Sequence, residues 1–148
     1  MMKNSDMKKI LCLLLVLFYI SSCYSQIIQD KEANRVERMN IKIWIEGMNT
    51  STPIQITPEI FDTSKEEYVF YSIVDKGYIL QIIKEINKSK ICEKYCDGVD
   101  TRARIEFIIG DEIITLYVGY NRIKIGNKYY KMTDSFRNIL EKLSGWDG

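Results

Sequence analysis

The segment from Arg102 to Met132, RARIEFIIGDEIITLYVGYNRIKIGNKYYKM, leaves the backbone few choices. Apolar and polar residues alternate with the period of a strand, and short turn signals interrupt them. Gly110-Asp111 suits a two-residue hairpin turn with glycine first. That turn pairs Phe107 with Ile114, Ile105 with Leu116 and Ala103 with Val118, so all six side chains share one face. Agreement between pattern and turn is what fixes a register, because a one-residue slip would move every apolar group to the wrong side. A turn at Tyr120-Asn121 then pairs Val118 with Ile123 and Leu116 with Ile125, and one at Gly126-Asn127 pairs Ile123 with Tyr130. The expected unit is a four-stranded antiparallel meander.

The same registers order the other face. Arg104 falls opposite Tyr117, Tyr117 opposite Lys124, and Lys124 opposite Tyr129. Cation and aromatic alternate across four strands. Such a row shields a solvated sheet face with long side chains. It also suits a partner-binding surface, since tyrosine and arginine join large area to a polar tip. Trp44 and Ile108 extend it if the first strand lies alongside.

Elsewhere, NIKIWIEG alternates with Ile41, Ile43 and Ile45 on one side and Lys42, Trp44 and Glu46 on the other, a half-buried strand. Ile54–Ile56 reads as a short second strand, Thr57-Pro58 as the start of a single helical turn, and EEYVFYSIV as a third strand. Asp75 caps a helix whose stripe is Ile79, Ile82, Ile83 and Ile86. Thr133 or Asp134 caps a last one, with Phe136, Ile139, Leu140 and Leu143 on its stripe and Gly145 at its end. The expected order is three strands, a helix, four strands, a helix. That is an α+β fold: an antiparallel β-meander sheet with two helices packed on one face.

The N-terminus carries an address. Lys8 and Lys9 precede an apolar run from Ile10 to Ile20, 11 residues long. A spanning helix needs about 20, so the layout is that of an export signal, with Met1 or Met7 as its start. The run ends in Ile20, Ser21, Ser22 and Cys23. This ISSC segment resembles the lipobox of bacterial lipoproteins, with isoleucine where leucine is commoner. The resemblance covers only the targeting segment. It implies a diacylglyceryl group on the Cys23 sulfur and cleavage just before it. Ordinary cleavage after Ser25 is the alternative. The expected division is a signal over 1–22, a polar tether or short surface helix over 23–39, and one domain over 40–148.

Both processing routes leave Cys92 and Cys96, and an even remainder in an exported chain reads as a disulfide. The spacing of three intervening residues is not that of a thioredoxin-like site, and the pair lacks the further ligands a zinc site needs.

Composition narrows the function. Whole-chain net charge is +1; removing three of the 21 basic and one of the 20 acidic residues with the signal leaves −1. That balance gives no footing for nucleic-acid binding or for membrane attraction through a polybasic patch. The chain has no histidine, which excludes Ser–His–Asp and Cys–His mechanisms. It has no glycine-rich phosphate loop, and DGVD at 97–100 lacks the alternating acids of a calcium loop. Glu106, Asp111 and Glu112 show no pairing that would make a general acid and base. A serine–lysine arrangement stays open. The expectation is a non-catalytic binding or accessory domain of the bacterial cell envelope, without cofactor or metal. It is held to a membrane by a lipid or released to the periplasm, and its partner is an unknown protein or envelope ligand. An inhibitor or immunity-type protein that blocks a toxin or enzyme in the envelope is the alternative.

Overall fold

The computed structural model describes residues 26–45, 55–65, 67–93 and 98–145. They form α1 (Asp30–Arg35), β1 (Arg38–Trp44), α2 (Pro58–Thr63), β2 (Tyr68–Ile73), α3 (Lys76–Asn87), β3 (Lys90–Ile91), β4 (Thr101–Ile109), β5 (Glu112–Gly119), β6 (Arg122–Ile125), β7 (Lys128–Lys131) and α4 (Asp134–Ser144). The apolar run at 10–20 and Cys12, Cys23 and Cys96 lie outside the described residues. Cys92 is disulfide-bonded, and the other half of the bridge is likewise outside them.

The strands make one seven-stranded antiparallel sheet in the order β2-β1-β4-β5-β6-β7-β3. The fold is α+β. The meander β4–β7 has the registers that its turns and alternation require: Phe107 opposite Ile114, Leu116 opposite Ile125, Ile123 opposite Tyr130. The first strand, which alternation alone could not place, lies between β2 and β4 with Ile41 opposite Ile105. It stops at Trp44, so Ile45 falls past its end and is exposed.

The inward face carries Ile41, Ile43, Ala103, Ile105, Phe107, Leu116, Val118 and Ile123, all fully buried. α3 and α4 cover it with the expected stripes. Ile79, Ile82, Ile83 and Ile86 are buried, as are Phe136 and Leu140. Asp75 accepts the Tyr78 N–H at 2.6 Å and Thr133 the Phe136 N–H at 3.3 Å, each satisfying an open helix donor. Gly145, at φ 72°, closes α4 in the left-handed conformation that glycine adopts without steric strain.

Two expectations are corrected. Residues 26–39 are not a tether: Ile28, Ala33, Val36 and Met39 are buried in the main core. α1 packs on α3, and Lys76 at the start of α3 donates to the carbonyls of Ala33, Asn34 and Val36 at the end of α1, where a cation is favoured. Residues 55–57 form no strand. Ile56 instead exchanges single bonds, its N–H to the Asp100 carboxylate at 2.8 Å and its C=O from the Thr101 N–H at 2.7 Å. The short helix expected from Thr57-Pro58 is α2, six residues long with Thr57 as its cap. α2 lies on the opposite face of the sheet, which is therefore partly covered.

Candidate functional site

The row of alternating cations and rings exists and is longer than the meander. Arg104 stands opposite Tyr117, Tyr117 opposite Lys124 and Lys124 opposite Tyr129. Lys42 on β1 and Phe70 on β2 continue it, so the row runs Phe70, Lys42, Arg104, Tyr117, Lys124, Tyr129 across six strands. Alternation in the sequence already put Lys42 on the polar side of its strand. What was missing was the neighbour of that strand.

α2 divides this row. Ile56, tied to β4, delivers Thr57 as cap and Pro58 as first helical residue, and the helix then lies over β1, β4 and β5. Phe61 is buried against Tyr68, rings edge-on at 4.8 Å between centroids. The Lys42 ammonium sits 3.9 Å from the Tyr68 ring centre and 5.0 Å from that of Phe61. Partial burial, helped by the Arg104 charge, lowers the Lys42 pKa against the opposing pull of Asp62. Asp62 accepts from Arg104 Nη1 at 2.6 Å and from the Tyr117 hydroxyl at 2.7 Å. Glu106 takes the other side of the same guanidinium, 3.3 Å from Nε. Arg104 and Tyr117 thus hold α2 through Asp62. Phe61, Asp62 and Tyr68 were invisible to pattern reasoning, because a six-residue helix has too few apolar positions to announce which surface it covers.

Lys124 and Tyr129 have a different setting. With Gln55, Thr57, Glu59 and Val99 they line an open depression of about 350 Å³ beside the start of α2. Trp44 is buried, stacked under the Arg102 guanidinium at 4.7 Å, and Arg102 pairs with Asp100 at 2.7 Å. It is structural and does not extend the surface. Ile108 lies on the outer face, opposite Arg38 and Ile113.

The clamp has a titration signature. Burial, then the hydrogen bond and negative charge of Asp62, push the Tyr117 phenol up to about 12. The fold therefore holds this proton more tightly than the unfolded chain does. Its contribution to stability is complete below about pH 10 and is lost as the pH rises to about 12. Asp62→Asn removes the negative charge but not the burial that is the larger cause, so it is expected to lower the phenol only part of the way from about 12 and to shrink that alkaline loss without abolishing it, read from the Tyr117 ring carbon shift against pH.

The second notable surface is the free edge of β2. Ile45 N–H bonds Glu67 C=O, which sets the phase of the β1–β2 ladder. In an antiparallel pair, bonded and non-bonded positions alternate. Val69, Tyr71 and Ile73 therefore face β1 with their backbone groups, whereas Tyr68, Phe70 and Ser72 turn theirs outward. Among the described residues nothing pairs with that edge. From Tyr68 to Val74 it carries no charge and no proline, and Phe70 and Val74 are 59% and 72% exposed. Among the described residues, no three His, Cys, Asp or Glu side chains come together as metal ligands. No protein-family model matches the chain, and no curated protein or solved structure is significantly similar to it.

Proposed function

We propose that this is a small exported, non-catalytic binding or accessory domain of the bacterial cell envelope. Cys23 is its lipid attachment point, and it engages another protein by accepting a strand at the free edge of β2. The observation that carries the reading is that, among the described residues, nothing covers this edge. Sheet edges are ordinarily blunted by lysine, proline, bulges or a covering element, because bare N–H and C=O groups recruit other strands. Here seven successive residues, YVFYSIV, have no charge or proline among them. The chemistry of such an edge selects an extended segment. Main-chain bonds supply affinity, and alternate side chains supply specificity against Phe70 and Tyr68. The row offers less, since α2 occupies its middle; only Lys124 and Tyr129 border an open depression.

The test places a photoreactive residue at Phe70, at Ser72, or at Thr115 on the far part of the same face, in the native envelope. Positions 70 and 72 are expected to yield one common protein adduct, and Thr115 none. Phe70→Lys is expected to abolish the adduct formed from position 72 while changing stability by no more than about 0.5 kcal/mol, as for other exposed substitutions. Adducts from Thr115 alone, or an adduct indifferent to Phe70→Lys, overturn the assignment.

A further inference from the structure

The two ends of the sheet are chemically opposite. β2 ends it with an uncharged edge, and β3 ends it with a cationic one. Lys90 stands opposite Lys131, and Lys131 opposite Arg122. Like charges in direct cross-strand contact repel, and among the described residues neither Lys90 nor Lys131 makes an ion pair. Lys88, whose charge is met by Glu85, precedes this row. Ile91, paired with the buried Tyr130, projects from the other face of the same strand, 51% exposed. Among the described residues, this end thus carries two lysines outside any ion pair and one bare aliphatic side chain, with Glu93 as the acid close by.

The same end receives the N-terminal segment. The amide of Asn87, at the end of α3, grips Ile28 from both sides. Its oxygen accepts the Ile28 N–H and its nitrogen donates to the Ile28 C=O, each at 2.9 Å. Ile28 is fully buried, so its position is set by the body. Gln26, two residues earlier, lines a depression of about 530 Å³ with Asn87, Lys88, Lys90, Ile91, Tyr130 and the acidic Glu93. Cys23 is only three residues before Gln26. Even fully extended, that distance is about 11 Å. A lipid on Cys23 would hold this end of the sheet at the headgroups.

We propose that the β3 edge, through Lys90, Lys131, Arg122 and Ile91, rests on an anionic lipid bilayer. This inference depends on the reading of Cys23 as the lipid attachment point. The cations meet acidic headgroups, which relieves their mutual repulsion, and Ile91 reaches the acyl boundary while neighbouring lysines stay at the surface. With strands about 4.8 Å apart, the six steps from β3 to β2 lift the partner-accepting edge about 29 Å from the membrane. The sheet stands on its basic edge and presents its bare one.

The full protein extracted from its own membrane is first weighed intact. It is then placed in vesicles of phosphatidylethanolamine and phosphatidylglycerol, and amide hydrogen exchange is compared with the same protein in detergent. A diacylglyceryl mass on Cys23, with exchange slowed several-fold over 88–93 and 128–131 and unchanged over 68–74, is the expected result. The double variant Lys90→Glu, Lys131→Glu is expected to lose that protection. A protein without the acyl mass overturns both the anchor and this orientation. An acylated protein that exchanges at 88–93 as in detergent, that is protected at 68–74 instead, or whose protection survives the double variant, overturns the orientation alone.

Discussion

Gly119→Ala is expected to lower the thermal midpoint by roughly 10 °C, about 3 kcal/mol at the midpoint, the upper end for overpacking a tight site. Gly119 is the last residue of β5 and stands opposite Thr101; the ladder then shifts register before Ala103. The shift is a bulge at Arg102, and it swings the preceding chain across the end of β5. A methyl group on Gly119 would stand 2.6 Å from the backbone oxygen of Asp100 and 2.8 Å from Val99 Cγ2. The first of these is main chain and cannot rotate away. It belongs to the stretch that holds Ile56 and so places α2. Relief at Gly119 therefore requires moving Asp100, loosening its bonds to Ile56 N–H and Arg102. Gly77→Ala is the control of opposite sign. Its methyl would meet only Asp75 Oδ1 at 3.4 Å, an ordinary contact. In the first turn of α3 it is expected to raise stability by about 0.5 kcal/mol through lower unfolded-state entropy. Thermal unfolding of the two variants side by side distinguishes a steric effect at Gly119 from a general response to replacing glycine.

The meander was legible because two independent signals agreed. Alternation said which side chains share a face, and the glycine-containing turns said which strands meet, so Phe107 and Ile114 had one possible pairing. The stripes of α3 and α4 were legible for the same reason, since each spans about two helical turns with a cap at its start. Elsewhere a signal was present without its partner. Ile54–Ile56 alternates like a strand, but Ile56 finds only Asp100 and Thr101 to bond and the chain turns into α2. β3 has two residues, too few to alternate. Lys42, Arg104, Tyr117, Lys124 and Tyr129 were predictable as a row. Its occlusion was not, because that depends on where Asp62 lands after a loop, and no local pattern encodes the far end of a loop. The free edge of β2 was visible as an uncharged run, but only the strand order shows that it is an edge.

The segment read from sequence as a tether or a short surface helix does contain that helix, α1, but it docks in the core, and a single substitution separates docking from a tether. Replacing a residue of a polar tether changes stability by no more than about 0.5 kcal/mol. Ile28→Ala is expected to cost about 3 kcal/mol, within the range for emptying a fully buried aliphatic site. The segment's docking was not legible because its buried residues, Ile28, Ala33, Val36 and Met39, are spaced too widely for one continuous helical stripe, with Glu32, Arg35 and Glu37 between them. α1 is only six residues long and does not hold itself together. It is held by tertiary contacts. Asn87→Ala tests the largest of these by a different route. It leaves the Ile28 side chain in place but strips partners from its N–H and C=O, at an expected cost of about 2 kcal/mol. Because both changes loosen the same N-terminal segment, the double variant is expected to lose less than the sum of the two. Urea unfolding of the wild type, the two single variants and the double variant completes the cycle. Full additivity would mean that residues 26–28 dock independently of the Asn87 grip. Effects near zero would return the segment to the status of a linker.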